Sequence, residues 1–305
     1  MATHKFGGPD TSRKLRCLQE YLQAFSIALR NQGFVCIYVD AFAGSGSRTE
    51  THPSLPLFGP EFAEPEEVTT PGSARLAVEI DPPLDEIVLI EKDPGRYSEL
   101  LLLKDEFPHR KIVVRDGDAN EQVQELCRSV KWRGPGVSGK GVRGVIFLDP
   151  YGMEVSWDTV TAIARTQALD CWYFFPLSGL YRNAPRRLPR LTTDKRAALN
   201  RIFGTHEWYE RWYSSKDLQV DMFNDEATAS RTADVNAIEQ YVKERLESVF
   251  LGTVLDPVRL HHKNGAPLAS LFFAVSNPSR PAVRLTTDIA VHILKRGRSS
   301  QVRSR

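Results

Sequence analysis

The stretch FVCIYVDAFAGSG, Phe34–Gly46, decides the reading of the fold. Phe34–Val39 climbs through apolar residues with no polar alternation, which is the pattern of a strand buried on both faces. Asp40–Gly46 then brings an acid, an aromatic, two glycines and little bulk. Such a turn is either a tight structural corner or a place where a ligand lies against bare backbone.

Working outward, Leu15, Leu18, Leu22, Phe25 and Leu29 recur at spacings of three and four. They predict an amphipathic helix over about 11–31, stopped by Gly33. On the other side lies a Pro-, Glu- and Thr-rich segment, 47–72, whose composition predicts an irregular loop. Its place between the glycines and the next helix makes it a candidate lid. That helix, SARLAVEI, starts at Ser73, which suits an N-cap.

Alternation then resumes. EIVLIEKD (Glu86–Asp93), KIVVRDGDA, VIFLDPYG and LDCWYFFPL read as strands, with helices at PGRYSELLLLKDEF, NEQVQELCRSV and about Trp157–Arg165 between them. Segment 178–232 breaks the rhythm and reads as a helical insertion. A long helix with Val235, Ile238, Val242, Leu246 and Val249 on one stripe follows. TVLDPVRLHH and PLASLFFAVS form a hairpin about Lys263-Asn264-Gly265, and a last helix precedes a basic, irregular tail at 297–305. The whole predicts an α/β fold in one domain spanning 1–305. Its sheet is doubly wound, seven-stranded, mostly parallel and Rossmann-like.

Composition narrows the function classes. The chain has 305 residues and a net charge of +2, so nucleic acid could be met only through a local patch. No apolar run reaches the roughly 18 residues of a membrane span. The N-terminus MATHKFGGPD lacks the layout of a signal peptide, so a cytoplasmic protein with no membrane partner is expected. Cys17, Cys36, Cys127 and Cys171 are widely spaced and read as reduced core residues. No metal-ligand spacing is present, and no metal is expected.

Ligands of open α/β sheets bind outside the carboxyl ends of the strands. Four consecutive strands end in acids: Asp40, Glu91 with Asp93, Asp116 with Asp118, and Asp149. Asp93, before Pro94, suits a helix cap, and Asp116 suits a turn. Acids at neighbouring tips repel one another unless something cationic or rich in donors lies among them. A dinucleotide fingerprint fails where Thr49 stands for the third glycine, and no phosphate-binding lysine motif is present. An acid in the glycine turn suits a cofactor with an amine and a ribose, and S-adenosylmethionine fits. Asp40 would pair with its amine, and the backbone of Gly44, Ser45 and Gly46 would take its carboxylate. Glu91 would bind the ribose diol and Asp118 the adenine amine, with Phe42 and Ala119 in the same turns.

DAFAGSG, LIEKD, GDA and LDPYG, in that order, resemble motifs I to IV of class I S-adenosylmethionine-dependent methyltransferases. YVDAFAGSG, PGSARLA, IEKDPGRYSEL and FLDPYGM more narrowly resemble the three-Cys-motif partner proteins, over roughly 10–295. That resemblance implies a methyltransferase-type sheet, an S-adenosylmethionine cofactor and a radical-SAM-like partner protein. In amino-methyltransferases acting on bases, a tetrad of Asp, Asn or Ser, two prolines and an aromatic follows the fourth strand. Asp149, Pro150 and Tyr151 look like a version shortened by one proline. The resemblance implies that Asp149 and the Pro150 carbonyl accept from a target amine while Tyr151 stacks on the base. Alternatively, Asp149-Pro150 turns the chain and Tyr151 packs.

Arg182, Arg186, Arg187 and Arg190 open the insertion, followed by Lys195, Arg196 and Arg201, with aromatics on either side from Tyr173 to Tyr213. Basic residues among aromatics suit single-stranded nucleic acid, by phosphate contact and stacking. The plain alternative is a solvated helix beside an aromatic core. Three functions stay open: a nucleic-acid methyltransferase, a small-molecule or protein methyltransferase, and a non-catalytic binding module serving a partner enzyme.

Overall fold

A computed structural model describes residues 9–53, 65–132, 141–213, 230–262 and 264–302. Five parallel strands form the centre: β1 (Val35–Asp40), β4 (Glu86–Glu91), β5 (Ile112–Asp116), β6 (Val142–Leu148) and β7 (Leu169–Phe175). β10 (Pro267–Val275) pairs antiparallel with β7, and also with β8 (Thr253–Val254) and β9 (Val258–His261). The order across the sheet is β5-β4-β1-β6-β7-β10-β8, with β9 beside β10. From β1 the chain builds outward on one side through β4 and β5, then returns to build the other side from β6. The crevice between the β1 and β6 tips is therefore the switch point where such sheets bind ligands.

Side chains alternate across β1. Ile37 and Val39 enter one core with α4 (Ala119–Ser129), α5 (Trp157–Thr166), α7 (Thr193–Phe203), α8 (Glu207–Trp212) and α9 (Val235–Glu247). Cys36 and Tyr38 enter the opposite core with α1 (Pro9–Leu29), α2 (Ser73–Val78), α3 (Pro94–Glu106) and α10 (Arg280–Val302). The period of two thus gives a three-layer α/β/α architecture, as expected of strands buried on both faces. All four cysteines are free. Burial pushes the thiols of Cys36 and Cys127 up to about 12, so neither is a nucleophile at neutral pH.

The packing of α1 matters for the site. Tyr21 lies edge-on to Trp172, with centroids 5.5 Å apart, and 4.8 Å from Phe273. Its hydroxyl donates to Asp170 at the start of β7 at 3.1 Å. Lys14, seven residues earlier, reaches the far end of β6. α1 therefore runs antiparallel to the strands, with its N-terminal turns at their carboxyl tips.

Four expectations are corrected. Segment 47–72 is not an irregular loop: β2 (Ser47–Pro53) and β3 (Pro65–Pro71) form a separate antiparallel hairpin, and 54–64 lies outside the described residues. Thr49 stands opposite Thr69 in this ladder, and threonine favours strands where the prolines and glutamates argue against one. Among the described residues the sheet has eight strands rather than seven. TVLDPVRLHH splits at Leu255-Asp256-Pro257, where Pro257 cannot donate to a ladder. Gly72 rather than Ser73 occupies the N-cap of α2. The backbone of 297–302 continues α10 as a helix, and 303–305 lies outside the described residues. No helix among the described residues is long and apolar enough to cross a membrane.

Candidate active site

The carboxyl edge gathers the tips of β1, β4, β5 and β6. Asp40 ends β1 and is fully buried. Its carboxylate accepts from the Tyr38 hydroxyl at 3.0 Å and the Phe42 N–H at 3.3 Å, with Ser73 also hydrogen-bonded to it. Burial raises its pKa to about 6, and the Ser73 and Tyr38 bonds oppose the rise. Ser73, freed from capping, thus ties the start of α2 to the tip of β1.

The turn that follows holds Gly44 and Gly46 at φ of 63° and 75°. A side chain at either position would be strained. The Gly46 carbonyl accepts from the Gly72 N–H at 2.9 Å, so the hairpin leaves and rejoins the chain at one pinned point. The Ser45 hydroxyl donates to the Ser47 carbonyl at 2.7 Å.

Glu91 is only 8% exposed and faces this turn. It accepts from the N–H groups of Gly44 at 3.0 Å, and of Lys92 and Asp93, both at 2.9 Å. The acid of β4 thereby fixes the glycine turn of β1. Asp93 caps α3 through the Arg96 N–H, in line with its expected role. Asp118 is exposed and caps α4, accepting from the Asn120 N–H at 2.9 Å. Ala119 beside it is buried. Asp116 is exposed, and its carbonyl accepts from Gln122.

The β6 tip is held from a distance. Lys14 of α1 donates to both oxygens of Asp149, at 2.6 and 2.5 Å, and its ammonium lies 4.1 Å from the Phe174 ring centroid. The two side chains are 7% and 13% exposed, so the pair is largely desolvated. This is a cation among the acids that the sequence demanded without identifying. Lys14 shares the inward stripe with Leu18, Tyr21 and Phe25, and a lysine on an apolar stripe is a signal that was available.

Pro150 is buried while Tyr151 is 67% exposed, so this ring does not pack into the core. The Tyr151 N–H donates to Glu154 at 3.1 Å, and Glu154 pairs with Lys92 at 3.1 Å. Arg96 Nη2 donates to the Tyr151 hydroxyl at 3.1 Å. Asn120 joins the β5 and β6 loops, donating to the Glu154 carbonyl and accepting from Ser156 and Thr159. Lys14, Arg96 and Asn120 were all missed by sequence reasoning.

In the insertion, α6 (Leu177–Asn183) precedes a 3-10 turn at Leu188–Arg190 and then α7. Arg182, Arg186, Arg187 and Arg190 are exposed. The aromatics are not interleaved with them at the surface. Phe175, Phe203, Trp208, Trp212 and Tyr213 are buried, and Phe203 meets Trp212 at 5.5 Å and 90°. Helical spacing turns these rings inward, while Tyr181 and Tyr209 stay half-buried with Arg231 and Arg196 over their rings at 4.8 and 4.4 Å. Arg201 is committed to the carbonyls of Met153 and Glu154. Among the described residues, no cluster of three His, Cys, Asp or Glu side chains could hold a metal ion.

No protein-family model and no curated protein matches the chain. Among solved structures, a Legionella pneumophila protein aligns over 90% of this chain and 89% of its own, at 13% identity and a TM-score of 0.48. A S-adenosylmethionine-dependent methyltransferase from Clostridium acetobutylicum aligns over 85% and 92%, at 9% identity and 0.36. The M. jannaschii protein TYW2, solved in complex with AdoMet, aligns over 83% and 75%, at 10% identity and 0.29. Likenesses this distant leave the chemistry to be read from the chain's own residues.

Proposed function

We propose that the protein is an S-adenosylmethionine-dependent methyltransferase acting on an amine of a nucleic acid base. The observation that carries this is the switch-point crevice, with a glycine turn and Glu91 on one side and Asp149, Pro150 and Tyr151 on the other. The donor set fits the cofactor. Glu91 and Asp118 offer acceptors for a ribose diol and an adenine amine, and with the Gly44 N–H taken by Glu91, Ser45 and Gly46 offer backbone to a carboxylate. Asp40 is fully buried, so instead of pairing with the cofactor's amine it acts from beneath, holding Phe42 and the turn in place. Bound there, S-adenosylmethionine would supply an electrophilic methyl group.

The rest falls to the chain. Asp149 and the Pro150 carbonyl are the acceptors that would take hydrogens from a target amine. That orients its nitrogen for in-line attack and gives its proton a path away. Tyr151 stands exposed where a base would arrive, and Arg182, Arg186, Arg187 and Arg190 suit its phosphates.

One observation favours a second reading. Lys14 already occupies both oxygens of Asp149, as in a module that binds the donor and serves a partner enzyme. The three-Cys-motif resemblance makes that partner a radical-SAM-like protein. Calorimetry with S-adenosylmethionine should give binding that Asp40→Ala and Glu91→Ala abolish. Asp149→Ala should keep donor binding and lose labelled-methyl transfer to nucleic acid. A folded wild-type protein that binds no donor overturns the methyltransferase reading. An Asp149→Ala variant that retains full cellular activity favours the second reading.

A further inference from the structure

Arg13, in the second turn of α1, is only 8% exposed, and its Nε is buried with no hydrogen-bond partner. Among the described residues, no hydrogen bond or ion pair to its side chain is formed. A guanidinium cannot escape the cost of burial by losing its proton. A buried charge without a counter-ion points to an anion that arrives from outside.

The register of α1 shows where this charge faces. Arg13, Cys17, Glu20 and Ala24 follow at spacings of four, three and four, so they share one side of the helix. Glu20 and Ala24 line a groove against Asp288, Ile289, His292 and Ile293 of α10. Ser26, on another side, donates to the Pro82 carbonyl before β4 at 2.6 Å, and Lys14 faces Asp149. Arg13 therefore lies along the α1–α10 seam rather than toward the glycine turn of β1.

The end of α10 adds to this charge. β10 runs antiparallel to β7, so it finishes at the amino edge of the sheet, and α10 starts there. Packed on α1, α10 rises to the carboxyl edge and brings its last turns beside the first turns of α1. Lys295 lies seven residues after Asp288, so it continues the stripe along the groove, and both it and Arg16 are exposed. From Lys295 to Arg305 the sequence holds five lysines and arginines and no acid. The arginines of 182–190 lie across the sheet from this seam. Leu180, Ala184 and Leu191 anchor them in one core, whereas Leu18 of α1 and Ile293 of α10 belong to the other. The Asp149 tip stands between the two basic regions.

We infer that Arg13, Arg16 and Lys295 form a second phosphate-binding seam, which holds a single-stranded nucleic acid on one side of the Asp149 tip while the arginines of 182–190 hold it on the other. This rests on the nucleic-acid reading above.

The test is fluorescence anisotropy of the full chain with labelled single-stranded RNA and DNA oligomers of about 16 nucleotides, titrated between about 50 and 200 mM salt. Thermal unfolding of each variant runs beside it. Arg13→Met keeps an apolar stem and removes the charge. It should weaken binding about tenfold at the lowest salt. It should also flatten the slope of log affinity against log salt by about 0.7, the share of one phosphate contact on a single strand. Its melting temperature should equal or exceed that of the wild type, because the charge removed has no partner in the free protein. A merely structural arginine would give the reverse, a lower melting temperature with an unchanged slope. Arg16→Ala with Lys295→Ala should flatten the slope by about 1.4, for two contacts. S-adenosylmethionine binding should be unchanged in both variants, and inorganic phosphate, the second probe, should bind far more weakly than the oligomers.

Binding that falls with Arg186→Ala and Arg187→Ala but not with Arg13→Met would overturn the seam and leave the nucleic-acid reading standing. A destabilised Arg13→Met with wild-type affinity would also overturn it. A wild-type protein that binds neither oligomer would overturn the nucleic-acid reading and the seam together. If that protein still bound inorganic phosphate through Arg13, the residue would belong to a small anion.

Discussion

The two sides of the switch-point crevice are built by different means. On the β1–β4 side, Asp40 and Glu91 are satisfied by near neighbours: Tyr38, Phe42, Ser73 and the N–H groups of Gly44, Lys92 and Asp93. On the β6 side, Asp149 and Tyr151 are held by cations from distant helices, Lys14 of α1 and Arg96 of α3. The first side is set by backbone geometry, and the second by how helices dock on the sheet. Weakening a helix contact should therefore disturb the acceptor side while leaving the glycine turn intact.

The largest effect is expected at Lys14. Its pairing with Asp149 is mostly desolvated, and removing one partner of such a pair costs about 3–5 kcal/mol. Lys14→Met should lower stability by that amount in denaturant unfolding. Adding Asp149→Asn should restore part of the loss, because it removes the stranded charge. A loss under about 1 kcal/mol for Lys14→Met would mean that the pair is effectively solvated.

The docking of α1 itself is expected to depend on pH. Burial raises the pKa of Asp170 to about 7, against the lowering influence of Tyr21 and Ser276. A carboxyl whose folded pKa lies above its unfolded value contributes stability below the unfolded value, and loses it as pH rises through the folded one. Stability should thus fall between about pH 4 and 7, by on the order of 3–4 kcal/mol from this group. Asp170→Asn should flatten that fall and leave the variant more stable than wild type at pH 8. Thermal unfolding across the range checks this. A wild-type profile in the variant would show that the acid is hydrated in solution.

The same division explains what the sequence could convey. The five parallel strands and the acids at their tips were legible, because burial on both faces writes apolar runs into adjacent residues and strand ends follow from them. The capping by Asp93 was legible for the same local reason. Lys14 and Asp149 are 135 positions apart, and Arg96 and Tyr151 are 55. No local pattern encodes a contact at that range. The aromatics of 208–213 left two readings open: their helical spacing suits an inward face as well as a surface strip, and only the packing against β7 and α9 decides for the core. The 47–72 hairpin was hidden because it packs as a separate two-stranded unit with polar strands, carrying none of the alternation that a core imposes.

The smallest effect sharpens the comparison most directly, because it repeats the chemistry of Lys14 with burial removed. Lys92 pairs with Glu154 at 3.1 Å across the crevice, joining the two sides, but its side chain is 60% exposed. Water screens such a pair, and the entropy of holding a long side chain offsets much of the attraction. Lys92→Met should therefore change stability by no more than about 0.5 kcal/mol, while Lys14→Met, with the same atoms removed, should cost several times more. Since Glu154 also accepts from the Tyr151 N–H, losing Lys92 should leave that bond in place and donor binding unchanged. Equal losses for the two lysines in paired unfolding experiments would show that burial does not separate them, and that both sides of the crevice are held alike.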